Sequence, residues 1–214
     1  GRILGEGIEH EDAVSSVALG ERRVVSGSWD GSVKIWDLRE SQLNPTPILD
    51  LNDHDHPVQC VCIDPNARVA CSASQDGVVL VWDVRTGKNQ RKIKAHKREV
   101  TGISLSNTGY DVTTVSNDGR IRTFDLTKGE NFLDLAAGED VSCVETDGDV
   151  IFTGGSRGVV KLWEMQEGEK KPRLQTKAMG AKVSGLSLSR DGSWLVAGLE
   201  TSEGKDDIIV YSTS

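Results

Sequence analysis

The chain has 214 residues, 36% of them hydrophobic and 27% charged, with a formal net charge of −8 and a sequence pI near 5.1. Such a balance argues against a nucleic-acid backbone as the main partner, because that binding draws its affinity from clustered Lys and Arg, so no specific nucleic-acid binding is expected. No apolar run approaches the roughly 18 residues needed to cross a bilayer, and no transmembrane segment is expected.

Residues 2–8 have the length of a strand and precede a histidine, His10. A strand is expected at 14–19, followed by SGSWDGSVKIWD from Ser26. Apolar Val33 and Ile35 alternate there with Lys34 and Trp36, and Asp30-Gly31 is the dipeptide a tight hairpin prefers, since glycine takes a positive φ at little steric cost. Each phrase is therefore read as strand, turn, strand. A more polar strand at 47–51 follows. The pattern then returns: a strand at 58–63, SASQDGVVLVWD from Ser72 and a polar strand at 90–94; a strand at 100–105, TVSNDGRIRTFD from Thr114 and a polar strand at 132–136; a strand at 141–145, TGGSRGVVKLWE from Thr153 and a polar strand at 173–177. Residues 78–82 are apolar almost throughout, as in a strand covered on both faces. A fifth, divergent unit has strands at 183–188, 195–198 and 208–211, with a long polar turn at 200–207, and the sequence ends before a fourth strand. Turn dipeptides such as Asp64-Pro65 and Asp191-Gly192 separate first strands from second ones.

The glycines Gly31, Gly77, Gly119 and Gly158 are 46, 42 and 39 residues apart. Self-similarity at about 40 residues marks a repeat architecture whose unit is one small sheet, and such units must stack to bury their apolar faces. Four antiparallel strands per unit, the inner ones apolar and the outer ones charged, make the blade of an all-β propeller. The expectation is one domain over 1–214, with blade units at about 10–51, 54–94, 96–136, 138–177 and 180–214.

The Asp-Gly turn, the Trp-Asp ending and a histidine upstream resemble the WD40-repeat β-propeller family over nearly the whole chain. The resemblance implies a buried network in each blade: histidine, Ser or Thr, turn aspartate and tryptophan. By position this gives His10, Ser26, Asp30 and Trp36 in blade one, and His54, Ser72, Asp76 and Trp82 in blade two. Blade three has His96, Thr114 and Asp118 but Phe124 for the tryptophan, so its indole hydrogen bond must be missing. Blade four keeps Thr153 and Trp163 yet has Ala137 for the histidine and Arg157 for the aspartate, which leaves its network in doubt. Residues 2–8 take the place of an outer strand completing the last blade of a closed ring; alternatively, since family rings more commonly have seven blades, two blades lie outside this sequence. The opening HEDAVS followed by SGSWDGSVKIW also resembles, faintly, the WD40 tails of BEACH-domain proteins.

Candidate sites carry competing readings. His10, Ser26 and Asp30 have the residue types of a hydrolase triad, but the set recurs in the next blade, as a structural network would and one active site would not. No phosphate-cradling loop or cofactor motif is present, and no cofactor is expected. Cys60, Cys62 and Cys71 with His54 and His56 could be written as a zinc site; a C-x-C within a strand without a second pair reads better as buried small apolar side chains. Four cysteines in a chain of this length do not make a disulfide framework, so a reducing compartment, cytoplasm or nucleus, is expected. The basic stretches 88–98 and 170–182 are outer strands and loops, or a local surface for an anionic partner.

What the family resemblance implies for function is a protein-interaction surface, not an enzyme: a scaffold binding peptides or partner proteins on the face around the central channel. The residues before each turn aspartate, Trp29, Gln75, Asn117 and Ser156, and the first-strand positions Ser15, Gln59, Thr101, Ser142 and Ser184, are the candidate partner-binding residues. Trp29 stands first, because tryptophan is enriched in binding hot spots and gains little by exposure in a turn; the alternative is that it packs on a neighbouring loop. Two other readings are the regulatory WD40 tail of a larger membrane-trafficking or signalling protein and, more remotely, a hydrolase.

Overall fold

Every sheet of the protein opens with a strand of β-branched and small residues that carries one extra residue. A computed structural model describes residues 7–39, 42–43, 46–147, 150–164, 172–189, 192–200 and 207–212, and among them there are strands and turns but no helix. Blade one consists of β1 (Val14–Leu19), β2 (Arg23–Ser28) and β3 (Val33–Arg39), with two short strands, β4 (Gln42–Leu43) and β5 (Leu49–Leu51), both pairing β3. Blade two is β6 (Val58–Ile63), β7 (Val69–Ser74), β8 (Val78–Asp83) and β9 (Asn89–Lys94). Blade three is β10 (Val100–Leu105), β11 (Asp111–Ser116), β12 (Arg120–Asp125) and β13 (Glu130–Ala136). Blade four is β14 (Val141–Asp147), β15 (Val150–Gly155), β16 (Val160–Glu164) and β17 (Leu174–Gln175), and blade five is β18 (Lys182–Leu188), β19 (Trp194–Glu200) and β20 (Asp207–Ser212). All described pairings are antiparallel, all but β3–β5 join consecutive strands, and the sheets form a five-bladed β-propeller.

The expected bounds of β1, β6 and β10 match those observed. The outer strands differ more: blade one splits its outer pairing between β4 and β5, and β17 is only two residues long. Polar outer strands bury little, so tertiary packing holds their ends weakly. The expected strand at 2–8 lies largely outside the described residues; Gly7 and Ile8 are not in a strand, and Gly7 lies so close against the Trp36 ring that an added Cβ would stand 2.4 Å from it.

The core is distributed between blades. One cluster joins Val25, Val33 and Ile35 of blade one to Val58 and Val61 of blade two. Equivalent clusters join blades two and three, three and four, and four and five. As expected, the side chains of 78–82 are buried throughout, since both faces of β8 are covered by neighbouring blades. Buried apolar area is the dominant favourable contribution, and here each blade obtains it only from a neighbour.

Each first strand bulges at one residue: Ser15, Gln59, Thr101, Ser142 and Ser184 in turn. A bulge re-aims the side chain of the extra residue. Ser15 Oγ donates to Val58 O at 2.6 Å, Thr101 Oγ1 to Val141 O at 2.5 Å and Ser142 Oγ to Val183 O at 2.5 Å, each acceptor belonging to the next blade. These hydroxyls clip adjacent blades together near the channel. In blade two, where the bulge residue is Gln59, Cys60 Sγ reaches Val100 O at 3.9 Å instead.

Candidate functional site

The turns between second and third strands and the loops before the first strands share one face of the propeller. In blades one to four a single backbone bond repeats: Trp29 N–H donates to Ala13 O (3.0 Å), Gln75 N–H to Pro57 O (3.0 Å), Asn117 N–H to Glu99 O (3.2 Å) and Ser156 N–H to Asp140 O (3.0 Å). Each turn residue is thereby pinned to the loop that opens its blade, with its side chain free to vary. The turn needs a glycine two positions on: Gly77 has φ +83°, and a Cβ there would stand 2.3 Å from the backbone oxygen of His96. Trp29 is 51% exposed, Gln75 and Ser156 are exposed, and Asn117 is half-buried with its amide on Glu99 at 3.0 Å. The neighbouring loops carry exposed Glu9, Glu11, Asp12, Asp53 and Asp55 in blades one and two, and exposed Lys97, Arg98 and Arg157 in blades three and four. The face is acidic beside Trp29, whereas the loops of blades three and four are mixed in sign, since exposed Asp140 lies among those cations.

Beneath these turns lie the network residues. In blade one Trp36 Nε1–H donates to Ser26 Oγ (2.8 Å), Ser26 Oγ lies 2.7 Å from His10 Nε2, and His10 Nδ1 lies 2.9 Å from Ser32 Oγ and 3.3 Å from Asp30 Oδ2. Ser26 is buried and its oxygen already receives the indole, the opposite of an exposed nucleophile poised at a cleft. Burial would raise the Asp30 carboxyl, but bonds from Ser32 and the backbone of Glu11, with His10 alongside, hold it well below the usual carboxylate range. Blade two brings together His54, Ser72 and Trp82 in the same way, at 2.7 and 2.8 Å, while Asp76 accepts from the Val78 N–H at 3.0 Å. Burial pushes His54 down to about 4, more than the nearby Asp76 charge raises it.

Blade three keeps the histidine link, with His96 Nε2 at 2.9 Å from Thr114 Oγ1 and Nδ1 at 3.1 Å from both Asp118 oxygens. With Phe124 supplying no donor, Thr114 Oγ1 turns to the backbone oxygen of Arg122 (3.2 Å). Blade four retains Trp163 Nε1–H to Thr153 Oγ1 (2.9 Å), but replaces the rest by an ion pair the sequence reading missed: Lys161 Nζ lies 2.8 Å from Glu139 Oε1 and 2.6 Å from Ala137 O. Glu139 takes the room left by Gly155, which stands where blades one to three have Ser28, Ser74 and Ser116; an added Cβ at Gly155 would meet its carboxylate at 2.6 Å. The other oxygen, Oε2, is buried with no hydrogen-bond partner among the described residues. The signal in the sequence was the joint loss of that serine, the histidine and the aspartate.

Cys62 and Cys71 lie opposite each other on β6 and β7, both buried, and burial pushes the Cys60 thiol well above its ordinary value and Cys143 up to about 12, as for small apolar side chains. A cleft of about 630 Å³ on the opposite face is lined by Arg23, Arg68, Asp83 and Arg85 and by no network residue. No described helix is long and apolar enough to cross a membrane.

Comparison with known proteins adds a finding about lineage. The family model described as WD domain, G-beta repeat matches residues 1–37, 45–83 and 87–125, more than half of the chain. The chain is 28% identical over 178 residues to Autophagy-related protein 16 of Arabidopsis thaliana, covering 78% of the chain and 34% of that protein. It is 27% identical over 201 residues to DENN domain and WD repeat-containing protein SCD1 of the same plant, covering 92% and 16%. With Small ribosomal subunit protein RACK1y of Oryza sativa subsp. japonica it shares 27% identity over 175 residues, covering 75% and 50%. The chain thus spans no more than half the length of these relatives.

Proposed function

The chain belongs to the WD40-repeat family, and from that premise we propose that it is a non-enzymatic scaffold that binds a peptide or partner protein on the propeller face around Trp29. The observation that carries the reading is a half-exposed indole on a turn whose backbone is pinned like those of the other blades, so its side chain is the variable part of a rigid frame. Tryptophan in such a position supplies large, rigid contact area at low entropic cost. The acidic loops beside it favour a partner segment with Lys or Arg flanking an apolar side chain, and charge complementarity of this kind sets orientation and encounter rate. Gln75, Asn117 and Ser156 extend the surface around the ring. Of the bulge residues, Ser15, Thr101, Ser142 and Ser184 have hydroxyls on backbone carbonyls, which leaves the Gln59 amide as the ring position suited to reading a partner.

Affinity purification from source cells with wild type and Trp29→Ala in parallel tests the reading. Partners should be lost from the variant while its melting curve is unchanged; an identical set of partners would sink it. A second reading, a regulatory WD40 tail of a larger trafficking or signalling protein, draws support from the match to SCD1 over 92% of this chain but 16% of that protein. It is compatible with the first, since a tail would act through the same face.

A further inference from the structure

At the junction of blades two and three one side chain fills the room between the outer strand and the following blade: Arg91 of β9 donates through Nε to Leu126 O at 2.7 Å and through a terminal nitrogen to Thr127 O. The register puts Leu49 of β5 at the same position in blade one, since Leu49 pairs with Ile35 as Arg91 pairs with Val81. Leu49 is shorter and has no donor, and there the cleft of about 630 Å³ opens between β5 and the turns of blade two. Its charged lining also belongs to this junction alone of the two. Arg68 O accepts from Val84 N–H as Tyr110 O does from Leu126 N–H, so Arg68 and Arg85 stand where the next junction has Tyr110 and Thr127; Arg23 at the start of β2 matches Val69 of β7. A scaffold device would repeat from blade to blade, as the histidine network does in blades one to three, and these arginines do not.

The carboxylates around them are already engaged. Asp37 pairs with Arg23 and is 4% exposed, and fully buried Asp64 accepts from the Arg68 and Val69 N–H groups at 2.5 and 2.7 Å and faces the Arg68 guanidinium at 3.4 Å. Asp83 Oδ1 accepts from the Arg85 and Thr86 N–H groups at 3.0 and 2.8 Å. Arg68 is 59% exposed, and the exposed Arg85 side chain makes no hydrogen bond among the described residues. Exposed Glu21 lies in the adjoining recess with exposed Arg22, which offsets it. Among the cations stands Ile48, an exposed apolar side chain. The cleft is also lined by Ala67, whose φ is +53° at the turn position where blades three and five have Gly109 and Gly192. Residues other than glycine held in that conformation cluster at ligand sites.

We propose that this cleft binds a short acidic segment of a partner protein, with an apolar side chain against Ile48 and Leu49 and carboxylates on Arg23, Arg68 and Arg85. The planar fork of arginine matches a carboxylate with two parallel hydrogen bonds, and the buried Asp37 and Asp64 hold two of the three guanidiniums in position before the segment arrives. Ile48 among the cations suits a peptide, which has an apolar side chain to set against it, better than a phosphate backbone, which has none. The net charge of −8 repels a long polyanion, whereas a short segment meets only the charges within the screening length of about 8 Å. The cleft lies on the face away from Trp29 and takes the opposite charge from the acidic loops beside that residue, so the two faces hold different partners at once. The proposal does not rest on the Trp29 reading.

A phage-displayed library of random short peptides, panned at physiological salt on the protein at its native length, is the test. One recovered set should be rich in Asp and Glu around a Leu, Ile or Phe, and synthetic peptides of that set should bind at least about tenfold more weakly to Arg85→Glu and to Ile48→Ser. Both positions are exposed, so the melting curves of these variants should match that of the wild type. Lys97→Glu makes the same change of charge on the face of Trp29 and should leave the affinity within about twofold, as should Trp29→Ala, which separates this site from the one around the indole. Recovery of no acidic set overturns the proposal, and so does equal weakening by Lys97→Glu or by Trp29→Ala. Tighter binding of oligouridylate than of the peptides, lost in the same Arg85→Glu variant, overturns it in favour of a nucleic-acid site.

Discussion

Blade two and blade four keep the same strand order and the same buried indole, yet they hold the space under their turns by opposite means. In blade two a neutral histidine, a serine and a tryptophan make short hydrogen bonds with the turn aspartate alongside, at small cost in charge burial. In blade four the histidine and aspartate are gone, and a nearly buried Lys161–Glu139 pair fills the gap while leaving one carboxylate oxygen unpartnered. What these two blades share is packing and one indole bond, and the remaining polar set is replaceable as a unit but not one residue at a time.

The largest effect should come from splitting the pair in blade four. Glu139→Ala leaves an uncompensated cation and is expected to cost about 3 to 5 kcal/mol by urea denaturation, while Glu139→Leu combined with Lys161→Met recovers most of it. A double variant as unstable as the single one would show that the pair is not a unit.

Acid should separate the blades next. His54 has a folded pKa of about 4 against 6.5 when free, so the unfolded chain takes up the proton first; its contribution is fully present above pH 6.5 and is lost as pH falls toward 4, roughly 3 kcal/mol in all. Asp76 and Asp118, held below their ordinary values against the opposing effect of burial, add losses of the same sign at lower pH. Glu145 in blade four has the opposite sign: burial raises its carboxyl, so acidification favours the folded form there. Exchange protection in 58–63 should fall between pH 6.5 and 4.5 while that in 141–147 holds, and His54→Gln should flatten the first profile. Parallel loss in both segments would count against this assignment.

Asp76→Ala should cost about 1 to 3 kcal/mol, because the Val78 N–H loses its acceptor; an unchanged Tm would mean that water replaces it freely. Trp29→Ala should move stability by no more than about 0.5 kcal/mol, and a collapse of the fold would show that the indole is part of the core.

Much of this was legible in the sequence. The first strands at 14–19, 58–63 and 100–105 and the Asp-Gly turns follow from local alternation and from glycine's tolerance of positive φ, both short-range properties. The outer strands were less so: 47–51 became Leu49–Leu51, and Gln42–Leu43 went unnoticed, because a polar strand records little of what it pairs with. The Lys161–Glu139 pair was hidden for a different reason. It joins residues 22 apart through the room left by Gly155, and the joint loss of serine, histidine and aspartate marks an altered blade without saying which pair fills the space.

The amino-acid sequence by itself determined the repeat, its four-stranded unit and the grading from complete to altered networks, since these depend on spacing and residue type within one blade. Only the tertiary structure decided that the bulged hydroxyls of Ser15, Thr101 and Ser142 reach across to the next blade, and that Val17 and Ile208 face solvent where their counterparts are buried. The reason is that burial in a stacked array is a property of neighbours: the same valine is core or surface according to which sheet lies against it.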